Sequence, residues 1–196
     1  MTDQFQILVV CLGNVCRSPL AERLLRPRLD DYLPGREAGV TVSSAGARAL
    51  VGAPMDEQAA AELRRLGGDP TGATSRQLEA SMVESADLVL TATRQLRSRV
   101  LEEAPRALKR TFTITELAAL VTSDELGGSR VSSAADLVAR AGSWRGSVQP
   151  ASYDVPDPIG QSEEVHREVA DLLDRECTAI ARAVVGALLS DVGSGA

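Results

Sequence analysis

Four short apolar runs, separated by stretches with helical periodicity, constrain this chain more than any other feature of it. Gln6-Ile7-Leu8-Val9-Val10 is continuous and rich in branched aliphatic side chains, which predicts a strand buried on both faces. Val40-Thr41-Val42-Ser43 predicts a second strand, running out into the small residues Ser44-Ala45-Gly46. Asp87-Leu88-Val89-Leu90-Thr91 predicts a third, and Thr111-Phe112-Thr113-Ile114 a fourth. Strands that alternate with helices imply βαβ units and a mostly parallel sheet.

The helices can be placed from their ends. Ser18 as N-cap and Pro19 at the first helical position predict a helix over about 18–29, which Pro27 kinks or ends. Ala59, Ala60, Leu63 and Leu66 give a helix over 56–66, stopped by Gly67-Gly68. Shorter helical patterns follow at 78–85 and 93–104. A long amphipathic helix covers about 163–189, with Val165, Val169, Leu172, Leu173 and Ile180 on one side. Between about 123 and 152 glycines interrupt the pattern and only 134–140 reads as helical, so this stretch is expected to be an insertion or long loop. The tail at about 191–196 should fray. A length of 196 residues fits one domain spanning 1–196.

Charge and residue counts narrow the chemistry. A formal charge of −6 argues against nucleic acid or an anionic membrane as the main partner. No apolar run approaches the roughly 20 residues needed to span a bilayer. Met1-Thr2-Asp3-Gln4 offers no basic start for a signal peptide, so a cytoplasmic location is expected. Three cysteines, Cys11, Cys16 and Cys177, do not make a secreted disulfide framework. His166 is the only histidine, which leaves little from which to build a metal site or a cysteine–histidine pair. It reads as a solvated helix residue, and Cys177 as core. No metal and no cofactor are expected.

The segment Cys11-Leu12-Gly13-Asn14-Val15-Cys16-Arg17-Ser18 lies between a buried strand and a helix start. In a parallel sheet ligands bind beyond the C-terminal ends of the strands. A loop closing onto a helix N-terminus aims backbone N–H groups at one spot, where the helix dipole adds positive potential. Gly13 permits close approach of the backbone, and Asn14 tolerates the left-handed region. Arg17 is spaced to curl back and grip two oxygens of an oxyanion with its planar fork. Cys11 at the loop entrance would feel all three influences, each favouring an ionised sulfur. The cradle of residues 12–18 would then hold tetrahedral phosphate, and Ser18 would donate to the sulfur. A buried cysteine at a strand end is the commoner fate of this residue type, but it requires none of this context.

A carboxylate is the natural complement. Asp154-Val155-Pro156-Asp157-Pro158 carries two prolines, which stiffen a loop and fix where a side chain points. An ester's leaving oxygen needs a proton and the attacking water then needs a base, and one aspartate can serve both steps. Asp157 is the candidate, its alternative being a turn before the last helix; Asp154 reads as turn chemistry. Cys16 is either a small hydrophobe under the loop or a partner able to trap a sulfenic acid on Cys11 as a disulfide.

Cys11 to Ser18, extended by Pro19-Leu20-Ala21-Glu22, resembles the signature of the low-molecular-weight protein tyrosine phosphatase family. Ser43-Ser44-Ala45-Gly46, Ser75-Arg76-Gln77-Leu78 and Glu84-Ser85-Ala86-Asp87-Leu88-Val89-Leu90 resemble its later segments. The likeness runs over about 5–117 and resumes at 154–158. It implies a doubly wound α/β fold, a four-stranded parallel sheet flanked by helices as a three-layer sandwich, without metal. It also implies Cys11 as nucleophile, Arg17 as phosphate ligand, Asp157 as general acid, and Asn14, Ser18 and Ser44 as the network holding the loop. Expected substrates are a phosphorylated protein or a small aryl phosphate.

Four positions depart from the family pattern. Ile159 and Gly160 stand where tyrosine-directed members carry aromatic residues, so a stacking wall is missing unless Trp144, Tyr153 or Tyr32 supplies it. Val15 stands where phosphoarginine-specific members have Thr and tyrosine-directed ones Ile; lacking a hydroxyl, it favours an aryl ester. Ala73 replaces a loop-supporting His of eukaryotic members, a role left to Thr74 or Ser75 if it persists. The competing readings are a protein arginine phosphatase, an arsenate reductase using a small-molecule thiol, and a non-catalytic phosphoprotein-binding regulator. Retention of nucleophile, arginine and acid together disfavours the last.

Overall fold

In the computed structural model, which describes residues 4–32, 39–127 and 131–193, four strands form one sheet in the order β2-β1-β3-β4, every neighbouring pair parallel. They are β1 (Phe5–Cys11), β2 (Val40–Gly46), β3 (Leu88–Thr91) and β4 (Thr111–Thr113). Alternation along β1 divides the interior. Phe5, Ile7, Val9 and Cys11 face one hydrophobic cluster, whereas Leu8 and Val10 face another on the opposite side. Burial on both faces explains why these strands read as continuous apolar runs.

The larger cluster gathers α1 (Arg17–Tyr32), α2 (Glu57–Arg65), α5 (Ile114–Val121), α7 (Ala134–Ser143) and the 31-residue α8 (Glu163–Gly193). Helix α8 packs against α1, α2, α5 and α7. The smaller cluster joins α3 (Ala80–Ser85), α4 (Arg94–Glu103) and a 3-10 turn at Pro105–Arg110. The result is the three-layer, doubly wound α/β sandwich expected of the sequence.

Several elements differ from the sequence reading. Helix α1 begins at Arg17, with Leu20 N–H closing on the Cys16 carbonyl at 3.0 Å, so Ser18 and Pro19 lie inside the first turn. Proline is tolerated there because first-turn N–H groups have no helical acceptor. The helix also passes through Pro27, which faces solvent, and runs to Tyr32 rather than ending near 29. Helix α5 follows β4 directly, started by a capping box between Thr113 and Glu116, a signal present in the sequence but not used there. His166 is only 4% exposed, correcting the solvated expectation. It stands on the same α8 stripe as Ala170, Leu173 and Cys177, all buried. Within 123–152 lie α6 (Asp124–Gly127), a single turn, and α7, whose Ala134, Leu137, Val138 and Ala141 are buried. Of the tail expected to fray, residues 191–193 continue α8, and 194–196 lie outside the described residues.

Candidate active site

The loop after β1 emerges at the topological switch point, where the chain crosses to β2 on one side and β3 on the other. Its carbonyl groups are turned outward. Those of Cys11, Leu12, Gly13 and Val15 accept from the N–H groups of Ala47, Arg48, Leu50 and Asp56 at 2.7–3.0 Å. Ser75 Oγ also donates to Gly13 O at 2.9 Å, while Thr74 is exposed; loop support at this edge therefore comes from Ser75. With the carbonyls committed elsewhere, the N–H groups of Gly13, Val15, Cys16 and Arg17 meet no protein acceptor among the described residues. A concave set of uncommitted donors at a helix N-terminus is an anion site.

Asn14 holds this shape. It is the one non-glycine residue with positive φ among those described, at 56°. Its Nδ2 donates to Ser18 Oγ and Ser44 Oγ at 2.9 Å each, and its Oδ1 accepts from Arg76 N–H at 2.9 Å. Ser44 Oγ in turn donates to Glu22 Oε2 at 2.6 Å, and Arg76 Nε donates to Ser44 O at 2.7 Å. Glu22 and Arg76 thus extend the network beyond the residues singled out from sequence.

Cys11 Sγ accepts from Ser18 Oγ at 2.9 Å and from Asn14 N–H at 3.3 Å. Two donors on one sulfur stabilise negative charge there. Above it lies a pocket of about 340 Å³ lined by Cys11, Leu12, Gly13, Val15, Cys16, Arg17, Arg48, Leu50, Asp157 and Ile159. Arg17 donates to Val155 O at 3.2 Å and to Asp157 Oδ2 at 2.5 Å, so guanidinium and carboxylate face each other across the mouth. The Asp157 loop is pinned from beneath: Val155 N–H donates to Ala92 O at 2.8 Å, and Asp154 Oδ1 accepts from Arg94 N–H at 2.7 Å. Asp154 therefore satisfies a backbone donor at the start of α4, and Asp157 is left facing the pocket.

Cys16 borders the pocket from below and packs into the larger core cluster. Burial, aided by the Asp56 carboxylate and by Cys11, pushes its thiol well above the ordinary range. None of the three cysteines is in a disulfide. His166 approaches the same Asp56, with Nδ1 3.8 Å from Oδ1. Of the aromatic residues weighed as a substrate wall, neither Trp144 nor Tyr153 lines the pocket, and Tyr153 lies instead under Arg94 at 4.8 Å. The Tyr32 side chain lies outside the described residues. The walls are aliphatic: Leu12, Leu50 and Ile159. Leu50 and Arg48 sit on the loop after β2, whose position no local pattern reveals.

The family model for low molecular weight phosphotyrosine protein phosphatases matches residues 6–127, over half the chain. This chain belongs to that family. Among its relatives, the low molecular weight protein-tyrosine-phosphatase Etp of Escherichia coli K12 is 31% identical over 169 residues, covering 86% of this chain and 87% of the relative. A solved structure of the YwlE arginine phosphatase from Geobacillus stearothermophilus superposes with a TM-score of 0.67 at 28% identity, covering 91% of each chain. Vibrio vulnificus Wzb in complex with benzylphosphonate gives 0.65 at 26% identity, covering 91% of this chain and 98% of that one. As a low molecular weight phosphatase the chain is a cysteine-based hydrolase. Among the described residues no helix is long and apolar enough to cross a membrane.

Proposed function

We propose that this phosphatase acts in the cytoplasm on phosphorylated protein, hydrolysing phosphotyrosine through a cysteinyl-phosphate on Cys11, without metal or organic cofactor. The observation that carries the reading is the placement of Cys11 Sγ beneath uncommitted backbone donors, with Arg17 and Asp157 at the pocket mouth. The N–H groups of residues 13 and 15–17 form the phosphate-binding loop, with Leu12 and Val15 as its apolar flanks. An arriving dianion competes with Asp157 for Arg17 and takes its planar donors. Cys11 Sγ attacks phosphorus, the bond to the ester oxygen breaks, and Asp157 delivers a proton to that oxygen. Asp157 then accepts a proton from water as it attacks phosphorus. The S–P bond breaks, phosphate leaves, and the sulfur returns to the Ser18 and Asn14 donors.

Aliphatic walls at Leu12, Leu50 and Ile159 accept the face of an aryl ring by packing alone. A second reading, phosphoarginine, is favoured by the likeness to YwlE and by the lack of an aromatic wall; the missing hydroxyl at Val15 counts against it. Substituting the nucleophile tests the core of the proposal. Cys11→Ser is expected to abolish aryl phosphate turnover while inorganic phosphate still binds within about threefold of wild type, because the donors remain. Turnover persisting in that variant refutes the mechanism. Comparing phosphotyrosine, phosphoarginine, phosphoserine and arsenate on the wild type assigns the substrate.

A further inference from the structure

The pocket over Cys11 does not end at Asp157. Arg17, Arg48 and Asp157 also form one side of an adjoining groove of about 350 Å³, whose other side is built by Gln95 and Arg99. Gln95 and Arg99 are one turn apart on α4 and share a face, while Leu96 and Val100 turn inward to the core. Most arginines around the site are committed: Arg17 to Asp157, Arg97 to Glu116, and Arg94 to the Tyr153 ring. Arg48 and Arg99 differ. Neither makes an ion pair or side-chain hydrogen bond among the described residues, both are exposed, and Asp157 is the one carboxylate lining the groove. In a chain of net charge −6, two cations without an ion-pair partner beside an anion-binding loop produce a local positive field.

We infer that this groove receives a second negative charge on the substrate: a carboxylate side chain within one or two residues of the phosphorylated position. An extended peptide advances about 3.3 Å per residue, so a groove bordering the pocket falls within that reach. The inference rests on the phosphatase reading above and extends it to the residues flanking the phosphate.

Steady-state kinetics on the full chain tests it with three substrates: p-nitrophenyl phosphate, a phosphotyrosine peptide flanked by Glu, and the same peptide flanked by Gln. The wild type is expected to favour the Glu peptide in kcat/KM by about fivefold, the upper end of what an exposed charge pair contributes and reasonable with two arginines, falling toward parity as salt rises to ~0.5 M. Arg99→Glu is expected to bring the ratio to one or below, while p-nitrophenyl phosphate stays within about twofold. Arg182→Glu, an equal charge change on the exposed side of α8, is expected to leave the ratio unchanged. Equal treatment of the two peptides, turnover of neither, or a parallel loss on all three substrates in Arg99→Glu overturns the groove assignment. Absence of p-nitrophenyl phosphate turnover in the wild type refutes the phosphatase reading itself, and this inference with it.

Discussion

Cys11 and Cys16 stand five positions apart in one loop and both border the pocket, but their sulfurs meet different partners. Cys11 lines the pocket, and its sulfur accepts two hydrogen bonds. Cys16 faces the core, where burial first and Asp56 second hold it as a thiol. Cys177 is fully buried in α8, with its thiol pushed up to about 12 by loss of solvent. Burial holds Cys16 and Cys177 as unreactive thiols, while Cys11 is the nucleophile proposed above, so the folded protein should offer iodoacetamide one target. At pH 7 a single adduct at Cys11 is expected, with activity lost in proportion. Raising the pH to about 9 should not recruit the others, since burial shifts both upward, away from that range. Peptide mass mapping checks this, and an adduct on Cys16 in active protein contradicts it. As a thiol Cys16 is also a poor target for oxidation, and the burial that keeps it protonated slows any attack by it on a sulfenic acid formed on Cys11.

The β1–loop–α1 unit makes the proposed anion cradle, and the end of β2 sets its depth. Gly46 pairs with Cys11 across the sheet and lies directly under the loop. A Cβ added there would stand 2.7 Å from Leu12 O and 3.0 Å from Asn14 N, both of them backbone atoms with nowhere to go. Gly46→Ala should therefore lift the loop, misplacing Cys11 relative to Arg17. A displacement on the order of 1 Å costs about a hundredfold in rate. We expect kcat on an aryl phosphate to drop by about that factor while the variant still folds by circular dichroism. Unaltered kcat would mean that the loop does not rest on this strand. This unit was the most legible part of the sequence, because its chemistry is local: a buried strand, a loop with Gly and Asn, then Arg-Ser-Pro. Residues supplied from a distance were not legible. The Ser18 donation to Cys11 lies within the loop and is legible, whereas Arg48 and Leu50 enter the pocket only because β2 pairs with β1. His166 was misjudged for the same reason, since its burial depends on where α2 lies beside α8.

Strand order puts the chemistry at one end of the sheet, and the rest of the fold must hold that end still. Helix α8 braces one face by packing on α1, α2, α5 and α7. The far edge is closed by a buried ionic cluster. Glu116, 4% exposed, meets Arg97 from α4 at 2.8 Å and Arg145 from the turn after α7 at 3.5 Å. Arg145 lies over the Phe112 ring of β4 at 4.4 Å and donates to Thr111 O at 2.6 Å and Leu108 O at 2.9 Å. The stretch expected from sequence to be an insertion is thereby tied to the last strand. Burial disfavours the charge on Arg145, and Glu116 is the group that counters it. Glu116→Gln keeps the shape of the side chain but leaves two arginines without their counter-charge. Removing one partner of a buried ionic group costs about 3 kcal/mol, or roughly 6–12 °C in Tm for a domain of this size. None of these residues lines the pocket over Cys11, so activity at 25 °C should stay within about twofold. Thermal melting and aryl phosphate kinetics on one preparation separate the two effects. An unchanged Tm would show that the cluster is not a brace, and a loss of rate without a loss of stability would tie it to the chemistry instead.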